Sequence, residues 1–345
     1  MKIIFISEDI ENNISAYNLI TLSAYLTKKG HKITVMCRED SHIYSECQKN
    51  KIETLKIGLI ERIGLLKIPK ADIIDIFNFS PFANLIIKRL SKTPVLLRQF
   101  NFLTEAEYEK IAKIQDSVYK ILPACDSLKK TMISKHIAEK KLFTFLPVLN
   151  MTRWESAKLI KSAMFLKRPY KIGMVYRIIK HEKVELFLNI AKEVISEIEN
   201  VNFAIIGPKY DFARQKAREL NISHKIDMLD WRTDMPEVMA MLHIFLNVDI
   251  KPNISRSLIE AMASGVVCVA PKIEGFVDFI DSDHNGILVE AGNIKEYKNI
   301  IKNLLNDPPR CQTISTISYQ YVNNNISADI LSRLSEIVYE EAINS

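Results

Sequence analysis

At 345 residues, with 48% hydrophobic and 26% charged side chains and a net charge of +6, the chain has the length of about two ordinary domains. That is enough apolar surface for a sizeable core, which excludes a disordered chain and a disulfide-stapled miniprotein. The five cysteines (Cys37, Cys47, Cys125, Cys268, Cys311) never take C-x-x-C spacing, no apolar run reaches the ~18 residues of a spanning helix, and Met1-Lys2-Ile3 leads into a strand pattern. These features predict a cytoplasmic chain with no structural zinc, no spanning helix and no signal peptide.

The elements follow in chain order. Lys2–Ser7 (KIIFIS) reads as a buried parallel strand running into polar Glu8, Asp9 and Glu11. Ser15–Lys29 carries a helical stripe stopped by Gly30, and Lys32–Cys37 is the next strand. Strands are expected again at Ile73–Asn78, Pro94–Arg98, Ser117–Leu122 and Leu142–Leu146, with helices near 81–91, 104–114, 126–139 and 152–166. The pattern restarts after Arg168-Pro169, the best domain boundary. Strands are expected there at Tyr170–Tyr176, Val201–Ile206, 225–229, His243–Val248 and Val266–Ala270. Helices are expected at Glu182–Ile198, 210–220, 234–242, Ser255–Ser264, 293–305, 310–322 and 327–343. Strands separated by helix-length crossovers imply two parallel-sheet α/β halves, 1–167 and 168–345.

Only nine glycines occur, none in G-x-G spacing, so the glycine loops of dinucleotide-binding and Walker sites are missing. Residues 1–167 carry 27 Lys+Arg against 17 Asp+Glu, a net +10, and the remainder carries 20 against 24, a net −4. Part of the basic excess lies in Leu128–Lys141 (LKKTMISKHIAEKK), where Leu128, Met132, Ile133 and Ile137 fall at helical spacing. Such a helix either turns its stripe into the core or lies on an anionic membrane surface. No nucleic-acid-reading module is present.

Several residues suit phosphate chemistry. Ser255-Arg256-Ser257, followed by Leu258, opens a helix whose first N–H groups lack intrahelical partners and sit at its positive dipole end. Such a tip accepts a diphosphate. Glu260, one turn on, is placed to accept from a ribose diol. Arg177 and Lys183 flank the loop after Tyr170–Tyr176, with Lys180 a competing cation, and either pair can offset charge on a leaving diphosphate. Gly173 admits close backbone approach within that strand.

Ile254–Asn293 (ISRSLIEAMASGVVCVAPKIEGFVDFIDSDHNGILVEAGN) resembles the nucleotide-sugar signature of the large group 1 (family 4-like) retaining glycosyltransferases. Ile172–Ala191 and Phe203–Pro208 are similar to two further elements of that family, in the family's order. The resemblance implies the GT-B fold, two Rossmann-like parallel-sheet domains facing a central cleft, with the last helix (327–343) crossing back to the first. It implies a nucleoside-diphosphate-sugar donor, a glycan or lipid-linked acceptor, and no cofactor or metal. It also implies that Glu260 holds the ribose, Arg177 and Lys183 the diphosphate, and residues 255–258 the phosphate oxygens. Trp231 falls where the family holds the base, and plain core is an equal reading for it. Two departures stand out: Pro252 replaces a family Glu, and Phe100 a family His. Glu8, Asp9 and Asn101 are the acceptor-side candidates, with Gln99 and Arg98 beside them, and Ser7–Asn13 is expected to be a mobile acidic loop. An active hexosyltransferase and a catalytically degenerate GT-B partner subunit both remain open, with an epimerase behind them. Docking at the inner membrane face would suit a lipid-linked acceptor.

Overall fold

A computed structural model describes residues 1–58, 68–90, 93–157, 161, 167–176, 181–208, 211–230, 232 and 234–345. The chain divides into two compact units, Met1–Asn150 with Asn325–Ser345, and Met151–Asn324. The break falls at Asn150, ahead of the expected Arg168-Pro169, because residues from Met151 onward pack with the second unit.

The first unit contains β1 (Lys2–Ile6), β2 (Lys32–Cys37), β3 (Glu53–Lys56), β4 (Ile73–Phe77), β5 (Val95–Gln99) and β6 (Lys120–Pro123). The second contains β7 (Tyr170–Val175), β8 (Val201–Ile206), β9 (Ile226–Leu229), β10 (Ile244–Leu246), β11 (Val267–Pro271) and β12 (Ile287–Val289). All named pairs are parallel. The sheets run β3-β2-β1-β4-β5-β6 and β12-β11-β10-β7-β8-β9, one doubly wound order read from opposite ends. Helices cover both faces of such sheets, so the central strands β1, β4, β5, β10 and β11 are near-continuous Ile, Val, Leu and Phe.

Three strand expectations need correction, the first being that the three-residue β12 (Ile287–Val289) was not among the strands expected. β3 was not anticipated: Glu53-Thr54-Leu55-Lys56 is polar, which an edge strand tolerates because one flank stays in water. Leu142–Leu146 is not a strand. It runs beside β6 with Phe143 N–H on Ile121 O (3.0 Å) and Phe145 N–H on Pro123 O (2.9 Å), and only Leu142 forms a bridge.

Caps set the helix starts. Asn13 Oδ1 accepts from Ala16 N–H at 2.8 Å to open helix Ile14–Lys28, and Thr104 with Glu107 forms a capping box for Glu105–Ile114. The core of the first unit holds a charged cluster. Arg98 Nε donates to Asp75 Oδ2 at 2.8 Å, Tyr339 OH donates to the same oxygen at 2.6 Å, and Arg98 Nη2 reaches Ser335 Oγ at 3.1 Å. Burial pushes the Asp75 carboxyl up against the opposing pull of Arg98. Tyr339 and Ser335 belong to helix Ala328–Ile343, so this cluster fastens the last helix to β4 and β5.

The helix containing Leu128 spans Asp126–Ser134. Its Leu128 and Met132, and Ile137 beyond it, are buried, so the apolar stripe faces the core. Lys129 and Lys135 pair with Glu139 and Glu105, leaving Ile133 as the exposed apolar side chain of that helix. No helix among the described residues is long and apolar enough to cross a membrane.

Candidate functional site

Each sheet reverses its strand order once, between β1 and β4 in the first unit and between β7 and β10 in the second. At the carboxyl ends of strands flanking a reversal the connections diverge in opposite directions and leave a crevice, the usual ligand position in this class of sheet. The second reversal is where the candidate donor residues meet.

Helix His181–Ile195 follows β7, and Lys183 lies in its first turn. Its ammonium forms an ion pair with Asp249, in the loop after β10, the two side chains being 19% and 9% exposed. That loop is organised by Asn247. Its carbonyl accepts from Tyr297 OH (2.7 Å), its Oδ1 accepts from Asp249 N–H (3.2 Å), and its Nδ2 donates to Ser255 Oγ (2.9 Å). Burial first, and the Asp249 charge second, push the Tyr297 phenol far up, so it stays a neutral donor.

Ser255 is the N-cap of helix Arg256–Ala263, and its Oγ accepts from Leu258 N–H at 3.2 Å. The first intrahelical bond is Ile259 N–H to Ser255 O, so Arg256 and Ser257 present N–H groups with no acceptor inside the helix. Ser255 Oγ caps the helix and holds the Leu258 amide, and the Leu258 side chain is fully buried, so the tip amides left without a partner inside the helix are those of Arg256 and Ser257. Glu260 is 2% exposed, and Arg256 Nε donates to its Oε1 at 2.8 Å. Gly275 lets the loop after β11 close on this segment: a Cβ there would stand 2.2 Å from Asn253 O, and its φ is +86°. Asp278 Oδ2 accepts from Gly275 N–H at 3.0 Å and fixes that turn.

The other sequence candidates divide. Arg177, Lys180 and Trp231 lie outside the described residues. Gly173 makes room for a neighbouring side chain, since a Cβ there would meet Leu242 Cδ atoms at 2.7 Å. In the first unit Asp9 accepts from Ser7 Oγ (3.1 Å), Asn13 Nδ2 (2.8 Å) and Asn78 Nδ2 (3.3 Å) at the β1/β4 reversal. The Ser7–Asn13 segment is thus pinned by hydrogen bonds, contrary to the expected mobile loop. Glu8 sits half-buried in the same segment. Asn101 is exposed, whereas Arg98 and Gln99 are buried and closed to substrate. Phe100 is core, stacked on Phe77 with centroids 6.1 Å apart. Among the described residues no group of three or more His, Cys, Asp or Glu side chains could hold a metal. An open cavity of about 480 Å³ in the second unit lies elsewhere, between the 277–285 segment and helix Pro308–Asn325, and shares Asp278 with the Gly275 turn.

Sequence reasoning missed Asp249 and Asn247. The only available signal was two polar residues at the end of an apolar strand, Asn247 and Asp249 after Ile244–Leu246.

Residues 156–321 match the family described as "Glycosyl transferases group 1". The capsular polysaccharide biosynthesis glycosyltransferase CapM of Staphylococcus aureus is 24% identical over 237 residues, 64% of this chain and 60% of that protein. A UDP-Gal:alpha-D-GlcNAc-diphosphoundecaprenol alpha-1,3-galactosyltransferase of Escherichia coli is 22% identical over 188 residues, 53% of this chain and 46% of that protein. The chain thus spans about half to three-fifths of the length of these curated relatives. Among solved structures, Anabaena HepE in complex with UDP superposes with a TM-score of 0.84 at 14% identity, over 99% of this chain and 100% of that one. The chain therefore has the GT-B fold, two Rossmann-like units, and residues 156–321, just under half of it, are similar to the glycosyl transferases of group 1.

Proposed function

We propose that the protein is a retaining, metal-independent glycosyltransferase that moves a hexosyl group from a nucleoside-diphosphate-sugar to a hydroxyl of a glycan or lipid-linked saccharide. The observation that carries this reading is the convergence of Lys183, the Arg256–Ser257 helix tip and Glu260 at the second sheet's reversal. The tip amides and Lys183 would take the diphosphate oxygens, where charge grows as the sugar–phosphate bond breaks. Arg177 would add a second cation. These groups supply the compensating charge that a divalent ion supplies elsewhere, so none is assigned. Arg256 would turn from Glu260 toward the phosphates as Glu260 accepts from the ribose diol. The named activities of CapM and of the galactosyltransferase, and the UDP held by HepE, favour this donor class.

Glu8, Asp9 and Asn101 would meet the acceptor. A cytoplasmic location fits five buried cysteines, none in a disulfide. Peripheral contact with the inner membrane face would fall to the surface around Ile133 and Lys130.

Titration calorimetry with UDP, GDP and ADP, followed by assay of sugar-nucleotide hydrolysis, tests the proposal. Binding with turnover is expected, and no nucleotide binding overturns it. The core position of Phe100 and the proline at 252 favour a second reading, a GT-B subunit that binds nucleotide without catalysis and supports a partner enzyme. Binding without hydrolysis or transfer would establish that one.

A further inference from the structure

We propose that Asp249 is a positioning residue for Lys183, anchoring its ammonium at the β7/β10 reversal so that the remaining N–H donors face the diphosphate; this rests on the donor-site reading above. A lysine side chain is a flexible four-carbon stem, and holding its head in one place needs a fixed partner. Asp249 is such a partner. Its backbone is tied through Asn247 to the cap of the Arg256 helix, so the lysine, the loop and the helix tip form one connected unit.

The surrounding charges leave this job to Asp249. On the lysine's own helix Glu185 pairs with Lys216 and Glu193 with Lys298 of the neighbouring helix Ile294–Leu305, and Lys298 also holds Glu197 just beyond the helix end. Arg256 and Glu260 pair with each other. Asp249 is also too buried to exchange its cation for water cheaply, and a buried carboxylate stripped of its partner is costly. A diphosphate that took Lys183 away completely would leave that carboxylate stranded. Lysine has three donors, and sharing them between the carboxylate and the phosphate avoids this.

The test is a double-mutant cycle on donor turnover and UDP affinity with Asp249→Asn, Lys183→Met and the double variant. Asp249→Asn should lower kcat about tenfold or more while UDP affinity moves less than about threefold, because a misplaced cation costs the transition state more than the ground state. In the Lys183→Met background the same change should cost less than about twofold. Asp249→Glu, which keeps the charge and shifts it by one methylene, should recover part of the loss at an unchanged Tm, and it serves as the test if Asp249→Asn does not fold. Multiplicative effects of the two substitutions, or wild-type kcat in Asp249→Asn, would overturn the inference while leaving the donor site standing. A wild-type chain that binds none of UDP, GDP or ADP would overturn both.

Discussion

At the β1/β4 reversal the Asp9 carboxylate accepts from three neutral side chains of its own unit, and Asn78 Oδ1 accepts from Phe100 N–H at 3.0 Å. At the β7/β10 reversal the carboxylates of Asp249 and Glu260 each hold a cation instead. Neutral donors that cross from strand end to strand end tie the first crevice together, and nothing in that set gains from meeting an anion. Two ammonium or guanidinium groups beside a helix tip do gain from it, because a diphosphate offers more charge than a single carboxylate. One strand order therefore yields a neutrally braced end in one unit and a cation-bearing end in the other, and the difference comes from side chains on the connections that follow the strands.

The largest expected effect lies away from both reversals, in the first unit's core. Arg98→Met strands the Asp75 carboxylate and should cost about 3–5 kcal/mol of stability, read as a lower urea midpoint, with UDP affinity of the folded protein unchanged. Lys183→Met leaves the less deeply buried Asp249 without its cation, so it should lower the urea midpoint by less than Arg98→Met does, and it should lower donor turnover by about a hundredfold. Glu260→Gln removes one charged acceptor, and calorimetry should show UDP bound about tenfold more weakly. The smallest effect belongs to Asp9→Asn, about 1 kcal/mol of stability by thermal melting and no change in UDP affinity. A weaker UDP complex in Asp9→Asn would break the division between the two ends.

Much of the fold was legible because buried parallel strands are apolar on both faces, and KIIFI or VCVAP admits few other readings. β3 was not legible, since its place at a sheet edge lets Glu53 and Lys56 stay in water. Nor was it legible that Leu142–Leu146 stops at one bridge and two hydrogen bonds to β6, because LFTFL is apolar enough for a full strand. In the site, Ser255, Arg256 and Glu260 declare themselves by helix spacing. Asp249 does not, because its meaning comes from a lysine on a different crossover, and only the sheet order brings the two together. The Leu258 amide illustrates the converse case: the sequence marks the helix start, but which amides the cap consumes is a matter of side-chain direction.

The clasp formed by Asp75, Arg98, Ser335 and Tyr339 has a consequence for biosynthesis. A ribosome delivers both members of the ion pair early, yet the hydroxyls that complete their hydrogen bonding arrive after the whole second unit has been made. Until then the nascent amino-terminal sheet carries a charged pair short of partners, so its final consolidation waits until Ser335 and Tyr339 have been made. A ribosome-stalled nascent chain ending before residue 325 should accordingly be far more open to proteolysis in its first 150 residues than the released protein is.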